Sequence, residues 1–183
     1  MYLFSLTVIV GFVIYQFGFY PIALVNGVPI LARVWQRTLN AEKRVVNVRA
    51  YASHEKPIDF SSPKNAVLLG LIRKNILTFL IDSVLMSREG SVVVPDLEHL
   101  SIQRVNDELA KNQVTEQAAS AVYGLDLATL KESVLVPQAR QEILSKTLEA
   151  DGKNFDDWLL EVRDRAKVRF FFVSFQWNRE GVK

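Results

Sequence analysis

The chain has 183 residues, no cysteine, two histidines and a formal net charge of +2, which allows one domain with an appendage or two small domains. The lack of cysteine excludes disulfides and thiolate metal sites, and two histidines leave little material for histidine-based chemistry. So small a net charge argues against a nucleic-acid-binding protein, which normally carries a basic stripe or a much higher pI.

The N-terminal residues are strongly apolar. Residues 1–22 carry no charged side chain, and within 2–20 only Ser5, Thr7 and Gln16 are polar. A helix of that length reaches about 28 Å, close to the hydrocarbon thickness of a bilayer. The sequence therefore predicts a transmembrane anchor over 1–22 and a separate domain over 23–183. A cleaved signal peptide, disfavoured by the missing basic n-region, and a buried core helix are the alternatives.

Basic residues follow this apolar segment closely. Five cations and a single acid occupy residues 33–49, so the positive-inside rule favours a cytoplasmic domain. The basic face of this region is either a contact for lipid headgroups or a solvated helix face. Membrane lipid is the partner predicted for residues 1–22.

The remaining chain is predominantly helix-forming. A helix is predicted at 31–51 and a loop at 52–62, after which Ser62 and Pro63 provide the N-cap and first position of the strongest helix. Apolar residues recur there every four positions and widen until most of the circumference is apolar. Because such a helix must be covered on several sides, we predict that it is the hub of the core.

Shorter helices are predicted downstream. Gly90 is expected to end the hub helix, and an apolar connection follows at 91–96. Helices are then predicted at 97–111, 116–123, 127–135 and 137–150, with a last one from 155. Their predicted starts are marked by Asp96, Thr115, Asp126, Pro137 and Asn154.

The C-terminal residues change from helical to extended character. Residues 167–177 are β-branched and aromatic, and too apolar for a free tail. The comparable extended stretch is 24–30, which contains the turn-forming dipeptide Asn26-Gly27. The predicted fold is therefore mainly α: an N-terminal transmembrane helix, then a multi-helix domain closed by a small antiparallel sheet of its N- and C-terminal strands.

Catalytic motifs are missing from the sequence. It contains no glycine-rich phosphate loop, no GxSxG elbow and no HExxH pair. Neighbouring acids such as Asp156 and Asp157 diverge on a helix, whereas general acid–base catalysis needs carboxylates that converge. The sequence predicts a non-enzymatic binding or scaffolding protein with no cofactor, no metal and no nucleic-acid partner.

Several short motifs, in collinear order, resemble the N-terminal domain of SurA-type foldases. The resemblance covers nearly all of residues 24–177. It rests on LVNGVPI at 24–30, LI at 71–72, EG at 89–90, VVPDLE at 93–98, YGL at 123–125 and AKV at 166–168.

This resemblance implies an exported chaperone of the bacterial envelope, which holds unfolded or newly exported polypeptides in an apolar groove between helices. It also implies an extracytoplasmic domain, against the orientation favoured by charge. The chain lacks the parvulin prolyl isomerase domain of many relatives, so no isomerase activity is expected. The candidate peptide-binding residues are Val92, Val93, Leu97 and Leu100, for which packing into the core is the alternative. The second hypothesis is a structural or assembly subunit, or adaptor, of a membrane protein complex.

Overall fold

Helices form most of the part of the chain that is described, residues 18–183 of a computed structural model. The helices are α1 (Ala32–Ala52), α2 (Ala66–Val93), α3 (Leu97–Lys111), α4 (Glu116–Tyr123), α5 (Leu127–Leu130), α6 (Val136–Ala150) and α7 (Phe155–Arg165). A 3-10 turn at Pro63–Asn65 precedes α2, and a π-helical turn at Lys131–Leu135 joins α5 to α6. The strands are β1 (Pro21–Val25), β2 (Val28–Leu31), β3 (Val168–Phe170), β4 (Trp177–Asn178) and β5 (Gly181–Val182).

The prediction of a transmembrane helix over 1–22 is wrong. Among residues 18–183, no helix is both long enough and apolar enough to cross a bilayer. The end of the predicted span is strand β1, whose residues Ile22, Ala23 and Val25 are buried in the protein core. Their apolar character is therefore explained by packing against the protein's own helices. The rest of the predicted anchor, residues 1–17, lies outside the described residues. The single-pass membrane location is not supported.

A three-stranded antiparallel sheet joins the two ends of the described chain. Its order is β2-β1-β3, with Val25 opposite Val28 on one side and Val168 on the other. The predicted pairing of N- and C-terminal strands is thus confirmed. The predicted strand at 24–30, however, is a hairpin: Asn26 and Gly27 both have positive φ, as a type I′ turn requires.

The turn residue Asn26 also holds the C-terminal segment. Its side-chain oxygen accepts a hydrogen bond from the Lys167 amide at 2.8 Å, and its own amide donates to the Lys167 carbonyl at 3.0 Å. The Arg88 side chain donates to the Asn26 carbonyl from α2. These bonds fix the register of β3 against β1 and attach both strands to the helical body.

Helix α2 is the hub of the core, as its apolar circumference predicts. Leu77, Ile81 and Leu85 are fully buried, and the helix contacts α1, α3, α6, α7 and the sheet. The prediction that Gly90 ends this helix is wrong, since α2 continues to Val93. Gly90 serves packing instead: a Cβ there would lie 2.8 Å from methyl carbons of both Leu97 and Leu144. Its missing side chain lets α3 and α6 approach α2.

Replacing Gly90 with valine is expected to lower the free energy of unfolding by about 1–3 kcal/mol, because the added methyl groups overlap Leu97 and Leu144. Gly70 is the matched control, since it lies on the same helix and a Cβ there meets no atom within 4 Å. Gly70→Val should be neutral or slightly stabilising because valine has the better helix propensity. Urea unfolding measures both. Equal effects at the two positions would show that Gly90 has no packing role.

Three of the six predicted helix starts are confirmed by side-chain hydrogen bonds, whereas the predicted N-cap Ser62 makes no such bond. The side chains of Thr115, Asp126 and Asn154 accept bonds from backbone amides at the starts of α4, α5 and α7. Asp96 makes no such bond and has a left-handed φ of 59°, so its predicted cap is wrong. The predicted break before Pro137 is also wrong. The chain passes from the wider π-helical turn directly into α6. Pro137, which has no amide hydrogen to donate, is accommodated because it lies at the start of α6.

The predicted strand over 167–177 is shorter in the structure. Only Val168–Phe170 pairs with β1, and the chain then bends at Phe172, whose φ is +61°. Strands β4 and β5 form a separate hairpin that packs on α2. The Val182 amide donates to the Thr78 hydroxyl oxygen at 3.0 Å, which fixes this hairpin to the hub helix.

Candidate functional site

The four residues predicted to bind peptide do not form one surface. Val92 is 83% exposed and Leu100 is 40% exposed, whereas Leu97 is only 1% exposed. Val93 is half-buried and packs with Leu97 in a core cluster between α2, α3 and α6. Val92 and Leu100 thus remain accessible to a ligand, while Val93 and Leu97 have the core positions that the sequence left as the alternative.

A cleft lies between α3 and α6, on the part of the molecule that follows α2. It has a volume of about 330 Å³, and Tyr123 at the end of α4 closes one side. The residues that line it with apolar side chains are Val105, Leu109, Val114, Tyr123, Leu130, Leu135 and Ala139. The cleft is therefore a mainly apolar concavity.

The floor of the cleft is part of a small buried cluster. Val105 of α3 and Ala139 of α6 belong to this cluster, and both line the cleft. Leu109 and Leu135 pack on the same cluster but are only half-buried, so part of each remains accessible. A ligand that covers these leucines would remove further apolar surface from water.

Polar groups surround the apolar surface. The Arg104 side chain forms an ion pair with Glu142 at 2.7 Å, which joins α3 to α6 across the cleft. Glu142 also pairs with Lys146, and this hydrogen bond, with the nearby charge of Arg104, lowers the pKa of the Glu142 carboxyl. Gln138 lines the cleft, and its side-chain amide has no hydrogen-bond partner among residues 18–183. The amide is thus available to a ligand.

A buried arginine on the other side of α6 holds this helix in place. Arg140 is 6% exposed, donates to the Ser83 carbonyl of α2 at 3.3 Å, and pairs with Glu98 of α3. Its Nε is buried without a hydrogen-bond partner. The guanidinium therefore links α6 to both α2 and α3 and fixes the separation that defines the cleft.

A second buried ion pair links α2 to α7. Arg163 donates from Nε to Asp82 Oδ1 at 2.8 Å and from Nη2 to Oδ2 at 2.5 Å. Burial raises the pKa of the Asp82 carboxyl, and the hydrogen bonds and charge of Arg163 oppose this shift. The same contact raises the pKa of Arg163. Within the described part of the chain, no group of three or more His, Cys, Asp or Glu residues could hold a metal ion. The Asp82–Arg163 pair joins α2 to α7.

A basic groove of about 630 Å³ runs along α1 and reaches the loop after α4. Its cations are Arg33, Arg37 and Arg44, all from α1. Tyr123 is a lining residue of both this groove and the apolar cleft, so the two concavities lie next to each other.

Comparison with known proteins finds no matching protein family, no matching curated protein and no matching solved structure. The resemblance to SurA-type domains stays a prediction.

Sequence reasoning did not identify the cleft or the groove as sites. From sequence, Leu109 and Leu130 are only positions within the predicted helices 97–111 and 127–135, and Arg33, Arg37 and Arg44 are only three of the five cations at 33–49. The signal for the groove was present, because arginines at 33, 37 and 44 repeat with helical spacing. The cleft had no such signal, since it arises from the gap between two helices.

Proposed function

We propose that this chain is a non-catalytic polypeptide-binding domain that holds apolar side chains of unfolded or extended segments in the cleft between α3 and α6. The observation that carries this proposal is the apolar surface of the cleft, about 330 Å³ in volume, surrounded by polar side chains. Small binding sites in proteins commonly combine such an apolar surface with a few polar groups.

The two kinds of group have different roles in this proposal. Burial of an apolar side chain is non-directional, so Leu109 and Leu135 would accept leucine, valine or phenylalanine from varied sequences. The unpartnered Gln138 amide would hydrogen-bond the main chain of the segment, which every polypeptide presents. The cleft therefore suits a ligand defined by chemical character and not by one sequence.

The expected affinity is modest. Burying one large apolar side chain contributes about 1.5–3 kcal/mol, and association itself has an entropic cost. A single occupied cleft thus gives weak, rapidly reversible binding, which suits a protein that holds a segment temporarily. The resemblance to SurA-type foldases predicts the same activity from a separate line of reasoning. An adaptor role in a protein complex would differ by yielding one stoichiometric partner in crosslinking experiments.

Replacing Leu109 with serine is expected to weaken binding of an apolar peptide about three- to tenfold, because it removes accessible apolar surface from the cleft. Fluorescence anisotropy of a labelled, extended, leucine-rich peptide with the full chain measures the affinity. Delay of aggregation of a chemically unfolded client protein measures the function.

Leu100→Ser is the matched comparison, because Leu100 lies on the same helix, is exposed and does not line the cleft. Its binding should equal that of the unaltered chain. A loss confined to Leu100→Ser would move the site to the residues predicted from sequence. If the unaltered chain neither binds the peptide nor delays aggregation, the proposed function is wrong.

A further inference from the structure

The arginines of the basic groove are available to a ligand. Among residues 18–183, Arg33, Arg37 and Arg44 form no ion pair with a carboxylate, and no described residue lining the groove is acidic. The sequence of residues 1–17 contains no acidic residue. The groove thus carries three positive charges without compensating negative charge on its walls.

Two of these arginines are held in position by neighbouring groups. The Arg33 guanidinium lies 4.2 Å from the centroid of the Phe19 ring, a cation–π contact. Arg44 donates from Nε to the Ala121 carbonyl at 3.0 Å, and its side chain packs against Gly124. Both contacts leave terminal nitrogens of the guanidinium free for a ligand. These side chains are thus already ordered before a ligand arrives.

Arg37, between them, makes no side-chain hydrogen bond within the described part. The nearby acid Asp126 is occupied with the start of α5, where its oxygens accept from the Thr129 amide and hydroxyl. Those bonds are the main cause of the lowered pKa of Asp126, and the charge of Arg37 is a minor one. Arg37 is therefore the cation of the groove with the greatest freedom to pair with a ligand.

We propose that this groove binds acidic side chains of the same polypeptide segment whose apolar side chain occupies the cleft. This inference rests on the proposed function and names its ligand class: extended segments that combine carboxylates with an apolar residue. The groove and the cleft share Tyr123 as a lining residue, so a segment that extends past Tyr123 reaches both. Each arginine fork matches a carboxylate with two parallel hydrogen bonds.

The spacing of the arginines fits an extended chain. Along a helix axis, Arg33 and Arg37 lie about 6 Å apart and Arg37 and Arg44 about 10.5 Å apart. An extended chain advances about 3.3 Å per residue and its alternate side chains share one side, so acidic residues two positions apart match the interval between Arg33 and Arg37. A phosphate-rich polymer is the less suitable ligand, since it has no apolar side chain to bury in the adjacent cleft.

The test uses two labelled peptides and the full chain. Both contain a leucine and two residues placed two positions apart, which are glutamates in one peptide and glutamines in the other. At low ionic strength the acidic peptide should bind about tenfold more tightly than the glutamine peptide, and added salt should reduce that preference. Arg37→Glu should weaken binding of the acidic peptide about tenfold and change binding of the glutamine peptide less than about twofold.

Lys153→Glu provides the matched control, because it makes the same change in net charge at an exposed position outside the groove. It should leave the preference intact. Arg37→Gln gives the same test with a smaller change, and circular dichroism establishes that the variants are folded.

Equal binding of the two peptides overturns this inference, and so does an equal loss for Lys153→Glu, which would indicate attraction by net charge alone. Arg37-dependent binding of a single-stranded oligonucleotide without acidic-peptide binding would assign the groove to nucleic acid and also overturn it. If the glutamine peptide does not bind the unaltered chain, the proposed function is contradicted. If the glutamine peptide binds as tightly as the acidic peptide, only this inference is contradicted.

Discussion

Replacing Asp82 with alanine is expected to lower the free energy of unfolding by about 3–5 kcal/mol, because it leaves the Arg163 guanidinium buried without its carboxylate. The side chains of the pair are only 16% and 11% exposed, for Arg163 and Asp82 respectively. Both carboxylate oxygens accept hydrogen bonds from Arg163, so alanine removes two charge-assisted bonds at once. Urea unfolding monitored by tryptophan fluorescence measures the change.

The size of this effect does not mean that the pair itself contributes so much stability. Burial raises the pKa of Asp82 because removal from water disfavours its charge, and this desolvation cost offsets part of what the contact with Arg163 contributes. A double variant with methionine at 82 and 163 should therefore be much closer to the unaltered chain than Asp82→Ala. If the double variant lowers the free energy of unfolding as much as Asp82→Ala does, this explanation is contradicted.

Asp164→Ala is the charge control for the single variant. Asp164 lies next to Arg163 on α7 but is exposed, and its side chain makes no hydrogen bond or ion pair within residues 18–183. Its replacement should change the free energy of unfolding by less than about 0.5 kcal/mol. A comparable loss from Asp164→Ala would show that net charge, and not the buried contact, explains the result.

Helix starts were predictable because their determinants are local. The Thr115, Asp126 and Asn154 side chains bond backbone amides two or three residues ahead, so the pattern is visible within a few letters of sequence. The apolar circumference of α2 likewise predicted its central position. Such features require no knowledge of what lies opposite in the fold.

The N-terminal apolar stretch could not be interpreted in the same way. Hydropathy shows that Ile22, Ala23 and Val25 avoid water, but it does not distinguish lipid from protein as the covering material. Strand β1 pairs with β3 about 140 residues later in the chain, and the two together cover the hub helix. Only this long-range pairing shows that at least residues 21–25 are apolar because they form part of the core.

The end of α2 was missed for a related reason. Because glycine is disfavoured within helices, the local sequence predicts that α2 ends at Gly90. The tertiary contacts of Leu97 and Leu144 with this position override that preference, and they involve residues 7 and 54 positions away. The cleft was inaccessible to sequence reasoning on the same grounds, since the volume beside Ala139 depends on how closely α3 and α6 approach.

Deletion of residues 168–183 is expected to unfold the protein. It removes Val168, Phe170, Phe175 and Trp177, which are partly buried against the main core, together with the buried Val182. At partial burial these five side chains contribute roughly 5–10 kcal/mol, comparable to the whole stability of a typical domain. The deletion also leaves the backbone groups of β1 that bonded β3 without partners. Circular dichroism and thermal unfolding measure the outcome.

Phe172→Ser tests whether the C-terminal segment stabilises the fold through its specific core contacts or only through its apolar composition. Phe172 is 83% exposed, and its positive φ is unfavourable for a bulky side chain, so its loss should cost less than about 1 kcal/mol despite the removal of a large aromatic ring. Phe170 lies two residues earlier and packs on the core, so Phe170→Ser should lower the free energy of unfolding clearly more.

Addition of a synthetic peptide of residues 166–183 should restore structure to the truncated chain, because the peptide supplies the lost contacts in trans. If the truncated chain still unfolds cooperatively, with a midpoint temperature within a few degrees of that of the full chain, this prediction is wrong. Helices α1–α7 would then be stable without β3 and the final hairpin.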